Sequence, residues 1–202
     1  WNGGTLSSYL FEITGRILRT SDDLADGALI EKILDQAREK GTGQWTVHLA
    51  LEFGIPVPTI SEAVSARHLS RYGDDRTFAE RILPKPNVQS NVDRQAFVDD
   101  LEQALCAAVM ISYAQGLHLI TAPKPKGDGW VAKPELVGRT WQAGCVIRAE
   151  FLEKIITVYD NEPELPNLLM ANDLADDWSE WMPGLRGTLC FAIQYGVPVP
   201  AL

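Results

Sequence analysis

Hydrophobic residues recur at three- and four-residue spacing along almost the whole chain, which is the period of an amphipathic α-helix. Gly54, followed by Pro56 and Pro58, ends one such segment firmly. Residues 122–130 are rich in proline and glycine and are predicted to form a loop. No segment shows the sustained alternation of a strand, so the predicted fold class is all-α. The predicted helices cover residues 5–19, 27–38, 44–53, 59–70, 93–120, 134–141, 147–160, 171–181 and 184–195.

Two short motifs each occur twice, in the same order and at nearly the same separation. Trp1-Asn-Gly-Gly4 is echoed by Trp141-Gln-Ala-Gly144, an offset of 140 residues. Phe53-Gly-Ile-Pro-Val-Pro58 is echoed by Tyr195-Gly-Val-Pro-Val-Pro200, an offset of 142 residues. A single Gly-Pro helix stop recurs easily by chance, but two ordered motifs indicate duplication. We therefore expect two similar helical halves packed around the long helix at 93–120.

The composition narrows the possible partners. A formal net charge of −9 argues against nucleic-acid binding, which needs a concentrated basic surface. A few well-placed cations can nevertheless hold a small anion against an acidic background. We expect no hydrophobic segment that is long and apolar enough to cross a bilayer. The nearest candidate, residues 104–120, is interrupted by polar side chains and suits a core helix. We expect neither nucleic acid nor a membrane as partner.

The cysteines and the first residue bear on the compartment and on the extent of the chain. The three cysteines are far apart and lie in apolar surroundings, so neither a disulfide framework nor a metal site is predicted. This pattern fits a reducing cytoplasm, and nothing resembles a signal peptide. The chain begins at Trp1, already inside a helical pattern, so we expect a fragment of a longer protein. The cysteines are Cys106, Cys145 and Cys190.

The turn Glu39-Lys-Gly-Thr-Gly-Gln-Trp45 joins two predicted helices and is the segment most suggestive of chemistry. Gly41 and Gly43 permit backbone angles that let N–H groups converge. Thr42 can cap the helix or offer its hydroxyl to a ligand, and Lys40 adds charge to an electropositive helix N-terminus. These features suit a phosphate, although spacing alone favours a capped turn with a solvated lysine. A dinucleotide fingerprint is excluded because a helix precedes the turn.

Arg67 lies within a predicted helix among apolar neighbours. Such an arginine commonly forms an ion pair, here with Glu62 or Asp74, and spacing alone favours that interpretation. The alternative is a guanidinium that grips a phosphate through two parallel hydrogen bonds. The three histidines form no metal or triad pattern, and no proton-transfer machinery is recognisable.

Ordered motifs across nearly the whole chain strongly resemble the 6-phosphogluconate dehydrogenase family. The chain departs from the family where Gln44 replaces a commonly basic residue and where Arg38-Glu39 replaces a pair of small residues. The motifs that carry the resemblance are Trp1-Asn-Gly-Gly, Lys40-Gly-Thr-Gly-x-Trp-Thr46, Gly54-Ile-Pro-Val-Pro58, Glu62-Ala-Val-x-Ala-Arg67, Ile111-Ser-Tyr-Ala-Gln-Gly116, Trp141-x-x-Gly-Cys-x-Ile-Arg148 and Gly196-Val-Pro-Val-Pro200.

The resemblance implies the helical C-terminal domain of an NADP-dependent enzyme of the pentose phosphate pathway, which converts 6-phosphogluconate to ribulose 5-phosphate. Lys40, Thr42 and Arg67 match the family's phosphate-binding residues, which reverses the preference from spacing for all three. The family's NADP-binding Rossmann domain, catalytic lysine and proton-donating glutamate lie upstream of Trp1, and its C-terminal tail would follow Leu202. No catalytic residue, cofactor-binding residue or metal ligand is therefore expected here.

The expected assignment is a substrate-binding and dimerisation domain covering residues 1–202. It would be inactive alone and would belong to a cytoplasmic homodimer. Two alternatives remain, a non-catalytic helical dimerisation module with the same fold and a related hydroxyacid dehydrogenase with an unphosphorylated substrate.

Overall fold

A computed structural model describes residues 1–86, 92–123 and 131–202, and over these residues the chain is helical. The all-α prediction is confirmed there, since the only β-pairings in the described ranges are two isolated bridges. Three short 3₁₀ turns cover Leu29–Lys32, Leu168–Met170 and Asn172–Leu174. The α-helices are α1 (Tyr9–Arg19), α2 (Thr42–Phe53), α3 (Pro58–Leu69), α4 (Gly73–Ile82), α5 (Arg94–Thr121), α6 (Pro134–Gln142), α7 (Phe151–Asn161) and α8 (Ala175–Tyr195).

The chain divides into two compact units, and each unit draws on two separate stretches of sequence. The first comprises Trp1–Asp35 and Lys133–Glu164, with helices α1, α6 and α7. The second comprises Gln36–Ala132 and Leu165–Leu202, with α2 to α5 and α8. Both tryptophan-containing repeat motifs fall in the first unit and both Gly-Pro motifs fall in the second. This distribution fits a duplicated chain whose equivalent parts come together.

In the first unit, a short antiparallel bridge joins the two segments at equivalent points of the repeat. Ser8 faces Ala149, 141 residues further on, which lies between the two repeat offsets. The Tyr9 N–H donates to the Arg148 carbonyl at 3.3 Å, and the Glu150 N–H donates to the Ser7 carbonyl at 2.9 Å. If each residue is replaced by its equivalent 141 positions away, the bond from Tyr9 to Arg148 becomes the bond from Glu150 to Ser7. The bridge therefore has the local two-fold symmetry that a duplication produces.

The repeated Gly-Pro motifs end their helices with the same geometry. Gly54 after α2 has φ 67° and Gly196 after α8 has φ 66°, a left-handed conformation that favours glycine. The next N–H donates back into the helix in each case, from Ile55 to the Ala50 carbonyl and from Val197 to the Ala192 carbonyl. The predicted equivalence of the two helix stops is therefore visible in their hydrogen bonds.

In the second unit, α5 and α8 form the most extensive helix pair, and glycine allows their close approach. A Cβ atom added at Gly184 would lie 2.6 Å from the Gln103 Cβ and 2.7 Å from the Asp100 carbonyl oxygen. The predicted break between residues 181 and 184 is wrong, because α8 continues through Pro183. Trp181 and Leu185 on either side are buried. Their burial offsets the one backbone hydrogen bond that a proline removes.

The predicted helix at residues 27–38 is also wrong, since only Leu29–Lys32 turns there, as a 3₁₀ helix. A chain reversal at Gly27 competes with the helix, because the Leu29 N–H donates to the Thr20 carbonyl and the Asp22 N–H donates to the Gly27 carbonyl. Residues 34–40 have no regular secondary structure. Helix α4 was missed because its sequence is mostly polar, and its apolar residues Phe78 and Ile82 are exposed.

Helix α5 corrects the expectation that no segment is long and apolar enough to cross a membrane. An 18-residue window in this helix has a mean hydropathy of 1.5, so by length and composition alone the helix could cross a membrane. A core helix covered by its own protein passes the same test, and part of α5 is covered in this way. Beyond its end, Ala122 and Pro123 are not helical, while the rest of the predicted loop, residues 124–130, lies outside the described residues. The buried residues of α5 are Ala104, Cys106, Ala107, Met110, Ala114, Leu117 and Leu119.

Candidate functional site

The turn before α2 leaves the N-terminus of this helix open. Gly41 occupies the N-cap position with φ 90°, and no side chain caps the helix. The Trp45 N–H makes the first helical bond, to the Gly41 carbonyl at 2.9 Å, so the N–H groups of residues 42–44 have no acceptor within the helix. The first turn contains no acidic residue. Three backbone donors and the positive end of the helix dipole are therefore available to an anion.

Lys40 and Thr42 flank Gly41 at this helix end, and both side chains are exposed. Thr42 is the first residue of α2 and does not cap it. Within the described ranges, neither the Lys40 ammonium nor the Thr42 hydroxyl has a hydrogen-bond or ion-pair partner. A cation and a hydroxyl donor thus stand free beside the uncapped N–H groups.

Arg67 lies in the last turn of α3, and its side chain reaches the segment that leads to Lys40. Its Nη1 donates to the Arg38 carbonyl at 3.3 Å. The alternative ion pair with Glu62 or Asp74 is not formed in the part of the chain that the structure describes. The guanidinium keeps further N–H donors, since five are present and one is used here.

A glycine contact brings α2 and α3 together at this place. A Cβ atom added at Gly43 would lie 2.9 Å from the Val64 Cγ2, so the first turn of α2 lies directly against α3. Val64 is three residues before Arg67, and residues at this spacing share a helix face. Arg67 therefore contacts the segment before the turn through Arg38, and Val64 on the same helix contacts the first turn of α2. The three residues predicted from the sequence, Lys40, Thr42 and Arg67, all lie in the second unit.

A carboxylate that the sequence interpretation passed over lies beside Lys40. Glu39 Oε1 accepts hydrogen bonds from His68 Nε2 at 2.9 Å and from Arg71 Nη2 at 3.0 Å. The side chain of Glu39 is only 13% exposed, whereas those of His68 and Arg71 are 42% and 50% exposed. The hydrogen bond from His68 is the largest influence and, with Arg71, lowers the pKa of Glu39 below its ordinary value of 4.5 although burial raises it.

Ser70 adds another connection between the same two segments. The Ala37 N–H donates to the Ser70 Oγ at 2.9 Å, and this hydroxyl in turn donates to the Arg67 carbonyl at 2.7 Å. Residues 37, 38 and 39 are therefore each bonded to the end of α3. Because the partners are about thirty residues apart, no local spacing rule indicates these pairs, and only the fold reveals them.

Two kinds of site can be compared with the described residues, a metal-ligand cluster and a dinucleotide fingerprint. They contain no group of three or more His, Cys, Asp or Glu side chains placed to hold a metal ion. The Gly41 turn follows a segment without secondary structure, whereas a dinucleotide fingerprint needs a strand before the turn. The Gly41 turn therefore lacks the context of a dinucleotide fingerprint.

The first unit contains an open cleft of about 320 Å³, formed where its two segments meet. Arg148 stacks over the Tyr9 ring, with its Cζ 4.3 Å from the ring centroid. Two carboxylates and one guanidinium line the cleft, so its electrostatics select no single kind of ligand. The polar side chains that line it are Asn2, Ser7, Ser8, Glu12, Gln142, Arg148 and Glu150.

Comparisons with known proteins identify the family to which this sequence and fold are similar. A family model described as 6-phosphogluconate dehydrogenase, C-terminal domain, matches residues 1–202. The chain is 45% identical over 203 residues to 6-phosphogluconate dehydrogenase, decarboxylating 1, of Saccharomyces cerevisiae, covering 100% of this chain and 41% of the relative. It is 38% identical over 200 residues to the decarboxylating 6-phosphogluconate dehydrogenase of Lactococcus lactis, covering 99% of this chain and 42% of the relative.

A solved structure matches over the whole chain. It is the Plasmodium falciparum 6-phosphogluconate dehydrogenase, described in its apo form, with its cofactor NADP⁺ and with its substrate 6-phosphogluconate. The TM-score is 0.92 at 40% identity, covering 100% of this chain and 43% of the Plasmodium chain. The present chain spans about two fifths of the length of the proteins that it matches.

Proposed function

The chain belongs to the 6-phosphogluconate dehydrogenase family, over that family's C-terminal domain, and we propose that it forms the substrate-binding part of an NADP-dependent oxidative decarboxylase. The reaction is the conversion of 6-phosphogluconate to ribulose 5-phosphate in the pentose phosphate pathway. The observation that carries the proposal is the uncapped N-terminus of α2, flanked by Lys40 and Thr42 and adjacent to Arg67.

In the proposed complex, each element of this surface binds the substrate phosphate in its own way. The Lys40 ammonium supplies a compact positive charge, and the N–H groups at the start of α2 donate directly to phosphate oxygens. The Thr42 hydroxyl donates one more hydrogen bond. Arg67 donates through guanidinium N–H groups that the Arg38 carbonyl does not use. A dianionic phosphate needs such a set of donors, and the free Lys40 and Thr42 side chains supply part of it.

This chemistry predicts a strong preference for the phosphorylated substrate. Each hydrogen bond to a charged group contributes about 1.5–3 kcal/mol. A substrate that lacks the phosphate leaves these donors without their ligand, so it gains none of this binding energy. The donors bind and orient the substrate and do not transfer protons.

The remaining chemistry is proposed to reside outside these residues. If the complete protein binds NADP, the cofactor would supply the hydride acceptor for the oxidation. We also propose a cytoplasmic homodimer that has no membrane or nucleic-acid partner. The dimer is supported by the large apolar side chains that the chain leaves exposed, among them Leu51 at 79% and Ile193 at 80% exposure.

The test uses the complete protein that contains this chain, and it measures NADPH formation and carbon dioxide release with 6-phosphogluconate. We expect equal amounts of both products, and we expect light scattering to show a dimer. A chain of residues 1–202 should show no turnover under the same conditions. A folded, dimeric complete protein with no activity would overturn the proposal and favour a non-catalytic dimerisation module.

A further inference from the structure

The position of Lys40 depends on side-chain contacts, because the segment before it has no secondary structure of its own. Residues 34–40 are neither helical nor paired in a sheet, and residues 34–38 are exposed. A flexible segment would place the Lys40 ammonium over a wide range of positions. Freezing such a segment when a ligand binds costs conformational entropy. A contact that fixes the segment beforehand therefore improves ligand binding.

Glu39 makes the most extensive of these fixing contacts. It is the residue directly before Lys40. One of its two carboxylate oxygens, Oε1, accepts from His68 in α3 and from Arg71 just beyond that helix. His68 directly follows Arg67 in the same helix. Glu39, which precedes Lys40, is thus bonded to His68, which follows Arg67.

We propose that Glu39 is a positioning residue, which holds Lys40 in register with Arg67 for binding of the substrate phosphate. This inference rests on the proposed function, since it assumes that Lys40 and Arg67 bind phosphate. We call the hydrogen bonds of Glu39 with His68 and Arg71 the clamp, in which His68 and Arg71 are the donors. Their side chains are about half exposed, whereas the side chain of Glu39 is largely buried.

Electrostatics alone predicts the opposite effect for removal of Glu39. A carboxylate next to the phosphate site repels a dianion, so loss of its charge alone should tighten substrate binding. Loss of the clamp should weaken binding, because Lys40 would no longer be held in place. The sign of the change in KM therefore separates the two roles. Partial neutralisation of the carboxylate by Arg71 keeps the cost of a negative charge at this place small.

The experiment measures kcat and KM for 6-phosphogluconate in the complete protein with Glu39→Ala, Glu39→Gln and Glu52→Gln. We expect Glu39→Ala to raise KM on the order of 10-fold with kcat nearly unchanged. Glu39→Gln keeps a hydrogen-bond acceptor and should raise KM less. Glu52→Gln removes an exposed carboxylate at the far end of α2, about 15 Å along the helix from Thr42, and should leave both constants unchanged. A lowered or unchanged KM in Glu39→Ala would overturn the proposal.

A double-mutant cycle with Lys40→Ala identifies Lys40 as the residue that Glu39 positions. If Glu39 acts through Lys40, Glu39→Ala should have much less effect on KM when Lys40 is already alanine. Equal effects in both backgrounds would show a general structural role and would contradict the inference. Failure of the proposed function looks different, because Lys40→Ala alone would then leave KM unchanged. If Lys40→Ala raises KM and the effect of Glu39→Ala simply adds to it, only the positioning role of Glu39 would be refuted.

Discussion

The close approach of α5 and α8 at Gly184 leads to a quantitative prediction for Gly184→Ala. The added methyl group would meet the Gln103 Cβ at 2.6 Å and the Asp100 carbonyl oxygen at 2.7 Å. Ordinary carbon contacts lie at about 3.5–4.0 Å, so the two helices would have to separate by about 1 Å. Neither obstructing atom is at the end of a flexible side chain. The clash therefore cannot be relieved by a rotamer change.

The expected free-energy change combines two opposing contributions. Overpacking of this kind costs about 1–3 kcal/mol, and the unyielding contacts favour the upper part of that range. Alanine is better than glycine in a helix by about 1 kcal/mol, which offsets part of the cost. We expect Gly184→Ala to lower the free energy of unfolding by about 1–2 kcal/mol.

Gly116→Ala in α5 is the matched control, because a Cβ atom there would have no neighbour within 4 Å. Only the helix preference then applies, and we expect this variant to be more stable by about 0.5–1 kcal/mol. The assay is urea unfolding followed by circular dichroism. With a slope of about 2 kcal/mol per molar urea, the midpoints of the two variants should differ by about 1 M. If both variants raise the midpoint, the close contact between α5 and α8 does not exist as described.

Three further predictions concern individual groups. Burial, followed by the nearby carboxylates, raises the pKa of the Cys106 thiol to about 12, so iodoacetamide at pH 8 should label the exposed Cys190 and leave Cys106 unmodified until the protein unfolds. The lowered pKa of Glu39 means that its charge stabilises the fold fully above pH 4.5 and that this contribution disappears as the pH falls through the lowered value. The stability difference between the wild type and Glu39→Gln should therefore shrink on acidification below pH 4.5, as urea midpoints at several pH values would show. Gly43→Ala should push α2 away from Val64 and raise KM for 6-phosphogluconate severalfold, measured by steady-state kinetics beside Gly116→Ala.

The sequence predicted the fold class and most helices because their apolar spacing is regular and their ends are marked by glycine and proline. The Gly54 and Gly196 helix stops are examples, since the left-handed conformation that they adopt is what glycine permits. The failures have tertiary causes. The chain reversal at Gly27 displaced a predicted helix, and burial against α5 carried α8 through Pro183.

The candidate residues of the phosphate site were proposed from the sequence, whereas the contacts that hold the segment before Lys40 were not. Lys40 and Thr42 are close in sequence, and a glycine-rich turn before a helix is a local pattern. Arg67 became the preferred phosphate ligand only through the family resemblance, since spacing alone favoured an ion pair. The clamp between Glu39 and the end of α3 joins residues about thirty positions apart. No periodicity or spacing indicates such a pair, so it required the folded structure.

The most direct test of the account compares 6-phosphogluconate with unphosphorylated gluconate as substrates of the complete protein, in the wild type and in Lys40→Ala. If Lys40 binds the phosphate, the variant should lose on the order of 10- to 1000-fold in kcat/KM for 6-phosphogluconate, chiefly through KM. Its kcat/KM for gluconate should change little, so the preference for the phosphorylated substrate should collapse. An equal change for both substrates, or none for either, would contradict the assignment of this surface as the phosphate site.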